Sequence, residues 1–210
     1  MRNWIRHIIF LVMVLLSSQV VTGQEEIQRD TIYFFQTWEQ MLMNDPVNIY
    51  DFPDELPPVP DEIHFTFEDD SINHLINNEY LAAAQGDTLW YVNTRHLAKH
   101  FDMGDLTKKG YVPIFFDDKV AYLLVYYFYA YDGYDCLYYY LDFKNRKVLT
   151  VNHKTLRTLL NDYSDLRMQY DSMKDNKSPV IVDEFFFRYI DRASQDISRP
   201  DILDFIGGSD

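Results

Sequence analysis

Residues 111–151 read YVPIFFDDKVAYLLVYYFYAYDGYDCLYYYLDFKNRKVLTV, and this stretch decides the fold class. Runs of β-branched and aromatic residues alternate with short clusters of the residues that tight turns use. The clusters lie at 117–119, 132–135 and 144–146. The pattern predicts four strands joined as hairpins, at 111–116, 120–131, 136–143 and 148–151. It therefore predicts an antiparallel β-sheet meander.

Helical spacing follows this meander. Asn152 is a favourable N-cap for a helix whose apolar residues recur at spacings of three and four. A second helix is predicted from the pair Ser178 and Pro179, which suits an N-cap and a first helical residue. We therefore predict an α+β fold, with an antiparallel β-sheet meander of five to seven strands and packed C-terminal helices.

The residues before the meander predict further elements and a division of the chain. Residues 24–62 contain a strand at 31–35, a short helix after Thr37 and the acidic, proline-rich arm DFPDELPPVPD at 51–61. Strands at 63–67 and 89–92 and a helix over 71–84 follow. We assign residues 63–210 to an α+β globular core, which forms one domain with the arm.

Residues 1–23 have the three parts of a secretory signal peptide. Arg2 and Arg6 precede the apolar run IIFLVMVLL at 8–16, and Gly23 precedes a polar segment. The run is much shorter than the roughly 20 apolar residues that a spanning helix needs. We expect cleavage after Gly23, a periplasmic or extracellular location, and no membrane span after cleavage.

Composition narrows the classes of partner. The formal net charge of −14 at pH 7 argues against nucleic acid, because basic side chains supply most of the affinity for phosphates. The single cysteine, Cys136, cannot form a disulfide within the chain, which is more typical of a bacterial envelope protein than of a eukaryotic secreted domain. The phosphate-binding, nucleophile-elbow and Cys-x-x-Cys motifs do not occur in the sequence, and we predict no cofactor.

Three stretches resemble a known group of proteins. The segment TIYFFQTWEQMLMNDP at 31–46 resembles the strand-then-helix opening of small exported Bacteroidota proteins of unknown function. The stretch DTLWYVN at 87–93 and the region 147–189, above all LLNDYSDLRMQY at 159–170, resemble later elements of the same proteins. The resemblance implies an exported envelope or secreted protein, and it brings no activity and no site residues.

Two groups of residues are candidates for a site. His96 and His100 are four residues apart, so on a helix they share a face and can bind a metal ion; the alternative is a pair of ordinary surface histidines. Tyrosines in the meander form the second group, because a partly exposed aromatic platform can stack on sugar rings or anchor a protein. Its members are Tyr127, Tyr129, Tyr131 and Tyr139. The alternative is that these rings belong to the core.

These observations predict a non-catalytic exported protein that binds another envelope protein or a glycan. A hydrolase acting on envelope or dietary polymers, with an unrecognised carboxylate or metal site, is the alternative from a different class. A structural or assembly factor is a third reading, and the sequence does not decide between the three.

Overall fold

The computed structural model describes residues 30–52, 70–85, 89–129 and 133–206. The predicted signal peptide, most of the proline-rich arm and the predicted strand at 63–67 lie outside the described residues. Within them, eight strands form one antiparallel sheet in the order β2-β1-β3-β4-β5-β6-β7-β8. The strands are β1 (Asp30–Phe35), β2 (Asn48–Phe52), β3 (Ala82–Gln85), β4 (Leu89–Asn93), β5 (Tyr111–Phe116), β6 (Ala121–Tyr129), β7 (Gly133–Asp142) and β8 (Lys147–Thr150).

Helices lie between and after these strands, and the predicted α+β fold is confirmed. The predicted number of five to seven strands is too low, because β2 and β3, which the sequence does not predict, add to the sheet. They are α1 (Trp38–Leu42), α2 (Asp70–Asn78), α3 (Thr94–Leu97), α4 (His153–Leu159), α5 (Ser164–Ser172), α6 (Pro179–Gln195) and α7 (Ile202–Ile206), with a 3-10 turn at Leu160–Asp162. None of the helices among the described residues has both the length and the apolar character that crossing a bilayer requires.

The predicted meander is β5 to β8, and its hairpins pair in sequence order. The Asp117 carboxylate accepts hydrogen bonds from the backbone N–H groups of Lys119 and Val120, both at 2.7 Å, which fixes the β5–β6 turn. Asn152 caps α4 through bonds from the N–H groups of Lys154 and Thr155. Turn and cap chemistry therefore acts here as the sequence predicts.

The predicted helix over 71–84 is wrong in its second half. Helix α2 ends at Asn78, and Ala82–Gln85 forms β3 between β1 and β4. Ala83 lies opposite Phe34 on one side and Tyr91 on the other, and it is fully buried. The small side chain leaves room for the two large rings, so tertiary packing overrides the helical preference of alanine.

The two faces of the sheet are covered differently. One face, which we call the α1 face, packs against α1, α7 and residues 97–106. The opposite face, called the α6 face, packs against α2 beneath β1 to β5 and against α4, α5 and α6 beneath β6 to β8. In the described part of β6 and β7, Leu123 and Tyr139 are buried on the α1 face and Tyr138 and Tyr140 on the α6 face.

Residues next to distant strands meet over the α1 face. Trp38, in α1 after β1, contacts Phe143, just after β7, with ring centroids 5.0 Å apart. Four strands lie between β1 and β7, which spans roughly 24 Å of a flat sheet. Both residues belong to the apolar interior on this face.

Residues 97–106 cross this interior and reach the edge strand β8. The N–H of Asp102 donates to the carbonyl oxygen of Arg146 at 2.8 Å. The N–H of Val148 donates to the carbonyl oxygen of Asp102, also at 2.8 Å. Gly104 has a φ of 56°, and a Cβ there would lie 2.9 Å from the carbonyl oxygen of Val148. Glycine is therefore needed for this close approach.

Residues 196–206 form a strap that passes from the α6 face to the α1 face around the β5–β6 turn. The N–H of Ile202 donates to the carbonyl oxygen of Asp118 at 2.6 Å. Lys119 Nζ donates to the carbonyl oxygen of Asp196 at 2.6 Å, and Arg199 Nη2 donates to the Tyr140 hydroxyl at 2.7 Å. The strap places α7 over the interior, where Ile202 is buried.

Candidate functional site

An aromatic cleft opens between α1 and the ends of β4 and β5. Its volume is about 420 Å³, within the range of roughly 300–1,000 Å³ that is usual for small-ligand clefts. The lining residues are Met41, Leu42, Asn44, Trp90, Ile114, Phe115 and Phe116. The Phe115 ring stacks on Tyr122 on the α6 face, so the cleft meets this residue at its backbone. The other side chains offer apolar and aromatic surface together with one amide.

Trp90 is the largest side chain in this aromatic cleft, and two neighbouring rings fix its orientation. Its ring centroid lies 5.2 Å from that of Phe35 and 5.2 Å from that of Phe116, with the Phe116 ring nearly perpendicular. In the strand register Trp90 lies opposite Ala84 and Ile114. Trp90 and Phe116 are only partly buried, so both rings contribute to the core and remain accessible from the cleft.

Helix α1 forms the other wall, and a capping box holds it in place. Thr37 Oγ1 accepts a hydrogen bond from the Gln40 N–H, and Gln40 Oε1 accepts one from the Thr37 N–H, both at 3.2 Å. Such reciprocal bonds satisfy two of the donors that a helix start leaves unpaired. Asn44 ends this wall in a left-handed conformation, with a φ of 52°, which asparagine tolerates well.

The predicted histidine pair is brought together by α3 and the turn after it. The ring centroids of His96 and His100 lie 5.6 Å apart. His96 Nδ1 is buried and has no hydrogen-bond partner among the described residues. The pKa of His96 is lowered to about 4, mainly by burial and also by the charges of Lys99 and His100, while Glu79 acts in the opposite direction.

Among the described residues, no third metal ligand lies beside His96 and His100. Over the described ranges, no three His, Cys, Asp or Glu side chains are grouped as they would be around a metal ion. Two acids near it in sequence make other bonds: Asp102 accepts from the Gly104 N–H at 3.2 Å, and Asp105 accepts from the Thr150 hydroxyl.

The predicted tyrosine platform is only partly within the described residues. Tyr139 is 1% exposed and belongs to the α1-face core. The backbones of Tyr127 and Tyr129 belong to β6, but their side chains lie outside what the structure describes, as does Tyr131 entirely. Tyr139 is therefore core, and the other three positions stay predictions.

The amino-acid sequence does not single out the residues of the aromatic cleft. Met41, Trp90 and Phe116 come from three separate segments, and the strand order β1-β3-β4-β5 brings them together. The only feature of the sequence that points to this cleft is Trp90, a large aromatic residue in a short strand. A core residue would give the same pattern.

Comparison with known proteins adds no relative. The chain matches no family model, no curated protein and no solved structure. The resemblance to exported Bacteroidota proteins therefore stays a prediction.

Proposed function

We propose that the chain is a non-catalytic exported protein of the bacterial envelope or exterior that binds a neutral glycan in the aromatic cleft. The observation that carries the proposal is Trp90, held in a fixed orientation by Phe35 and Phe116 and accessible at the wall of the cleft. A preorganised aromatic face suits the flat apolar side of a sugar ring, because little entropy is lost on binding.

The chemistry of the cleft supports a neutral ligand. Among its described lining residues the Asn44 amide is the polar side chain, and it can both donate and accept hydrogen bonds as sugar hydroxyls require. The net charge of −14 opposes anionic ligands at long range but leaves neutral ligands unaffected. An aromatic wall with an amide at its rim matches a ligand with an apolar face and a polar edge.

Binding of neutral oligosaccharides tests the proposal. We would measure thermal shifts of the purified protein against a panel of oligosaccharides and then measure the dissociation constant of the best ligand. Trp90→Ala should weaken binding at least about tenfold, as removal of a central aromatic anchor usually does. Met168→Ala, at a residue 71% exposed on α5, is the matched control and should leave the affinity unchanged.

Near-ultraviolet circular dichroism shows whether Trp90→Ala is still folded, and Phe116→Leu offers a milder second variant. Glycan binding that neither variant weakens would place the contact elsewhere and overturn the proposal, as would a panel that yields no ligand. Shortened sugars in the same mixtures would instead favour the hydrolase.

A further inference from the structure

We propose that His96 and His100 form a binding site for a divalent transition-metal ion, with Zn²⁺ as the probe. The inference does not depend on the glycan proposal, because the aromatic cleft and the histidine pair share no residue. The local backbone is well fixed at this point. Asn93, which is buried, caps α3 by accepting a hydrogen bond from the Arg95 N–H at 3.0 Å.

Asn93 also ties α3 to the end of α2. Its amide donates to the carbonyl oxygens of Asn77 and Tyr80, both at 3.2 Å. Lys99 Nζ adds a bond to the carbonyl oxygen of Asn78 at 3.0 Å. The two histidines therefore sit on a segment anchored at both ends, which limits the reorganisation that metal binding would require.

The separation of the two rings fits a shared ion. Zn–N bonds of about 2.1 Å at a tetrahedral angle place the centres of two liganding imidazole rings roughly 5 Å apart. The observed separation between ring centroids is 5.6 Å. To share an ion, each ring would have to turn one nitrogen towards it.

The buried nitrogen of His96 is a second, independent observation. Within the described residues, His96 Nδ1 is shielded from solvent and has no hydrogen-bond partner. A bound ion is one way to satisfy such a buried nitrogen. This nitrogen belongs to one of the two imidazole rings whose separation fits a shared metal ion.

Two charged residues set the strength of the site. Glu79 directly follows α2, is exposed, and acts on His96 as a negative charge. It can turn towards the ion and supply a third ligand, while water completes the tetrahedron. The ammonium group of Lys99 opposes a cation at the same place. The site therefore binds more weakly than a preformed three-histidine site.

The test is titration of the full, untagged chain with ZnCl₂ by isothermal calorimetry. We expect saturable binding of one Zn²⁺ per chain. His100→Ala should weaken it at least tenfold, and because His100 is exposed this variant should fold normally. Glu79→Gln should weaken binding several-fold. His74→Ala, an exposed histidine on α2, is the control and should change nothing.

Absence of saturable binding below 1 mM ZnCl₂ would overturn the inference. So would unchanged affinity in His100→Ala, or an equal loss in His74→Ala, since either result would show that the ion binds elsewhere. Loss of zinc binding in His100→Ala with glycan binding intact would show that the two sites are separate.

Discussion

Two buried tyrosines on the α6 face differ in how their hydroxyl groups are satisfied. The Tyr111 hydroxyl donates to the carbonyl oxygen of Ile76 at 2.7 Å, whereas the Tyr91 hydroxyl is buried and has no partner in the part of the chain that the structure describes. Both side chains are about 1% exposed. An unpaired buried hydroxyl costs about 1–3 kcal/mol, so identical substitutions at the two positions should have opposite effects.

We expect Tyr91→Phe to raise the free energy of unfolding by about 1 kcal/mol and Tyr111→Phe to lower it by about as much. Urea denaturation at pH 7 measures both changes. Burial raises the pKa of Tyr91 to about 12 in the folded state, above its ordinary value of 10. The contribution of the Tyr91 hydroxyl to stability is therefore complete below pH 10. It is lost as pH rises from 10 towards 12, because the tyrosine of the unfolded chain releases its proton first.

Tyr91→Phe removes that loss, so its advantage over the original protein should grow between pH 10 and pH 12. A Tyr91→Phe variant that is clearly less stable at pH 7 would show that the hydroxyl has a partner after all.

Helix α1, which forms one wall of the aromatic cleft, is a very short element. Its five residues are too few to be stable alone, so the capping box of Thr37 and Gln40 contributes much of its local stability. Thr37→Ala removes one of the two reciprocal bonds and should lower the free energy of unfolding by about 1 kcal/mol. Chemical denaturation measures the change.

Thr158→Ala is the matched control, because its exposed hydroxyl donates to the carbonyl oxygen of Lys154 within helix α4. Such a bond within a helix contributes little, so this substitution should change stability by less than about 0.5 kcal/mol. If both substitutions lowered the free energy of unfolding equally, the cap of α1 would contribute no more to stability than an ordinary bond within a helix.

Predictability also varies from one element to another. The hairpins of β5 to β8 could be predicted because turn residues separate long aromatic runs, and the local signals agree with the final fold. Strand β3 could not, because Ala82, Ala83 and Ala84 carry no strand preference of their own. Their conformation depends on Phe34 and Tyr91, which lie on neighbouring strands.

The two candidate sites also differ in how far the sequence predicts them. The histidine pair is visible in the sequence because its members are four residues apart and one local segment places them. The aromatic cleft is invisible there, since it depends on the order of β1, β3, β4 and β5. Both faces of β6 and β7 are apolar, so alternation could not show that Tyr139 lies in the core.

At the scale of the whole molecule, the strap joins the two layers that cover the sheet. Ile202 is 2% exposed within the interior of the α1 face, whereas Ile197, five residues earlier in the same strap, is 96% exposed. Ile202→Ala should lower the free energy of unfolding by about 2–4 kcal/mol, because it leaves a cavity in the core. Urea denaturation measures this loss.

Ile197→Ala should change stability by less than about 0.5 kcal/mol, since the side chain is already in water. Similar stabilities for the two variants would mean that the strap does not seal the interior.

The strap also has a consequence for the timing of biosynthesis. The last strand of the sheet ends at Thr150, yet α7 begins only at Ile202, about 50 residues later. At roughly 5–20 residues per second, a ribosome needs about 3–10 s to make the intervening chain. A chain that lacks α7 leaves part of the α1 face without its last cover. We therefore expect a chain that ends before Ile202 to aggregate more readily than the complete chain.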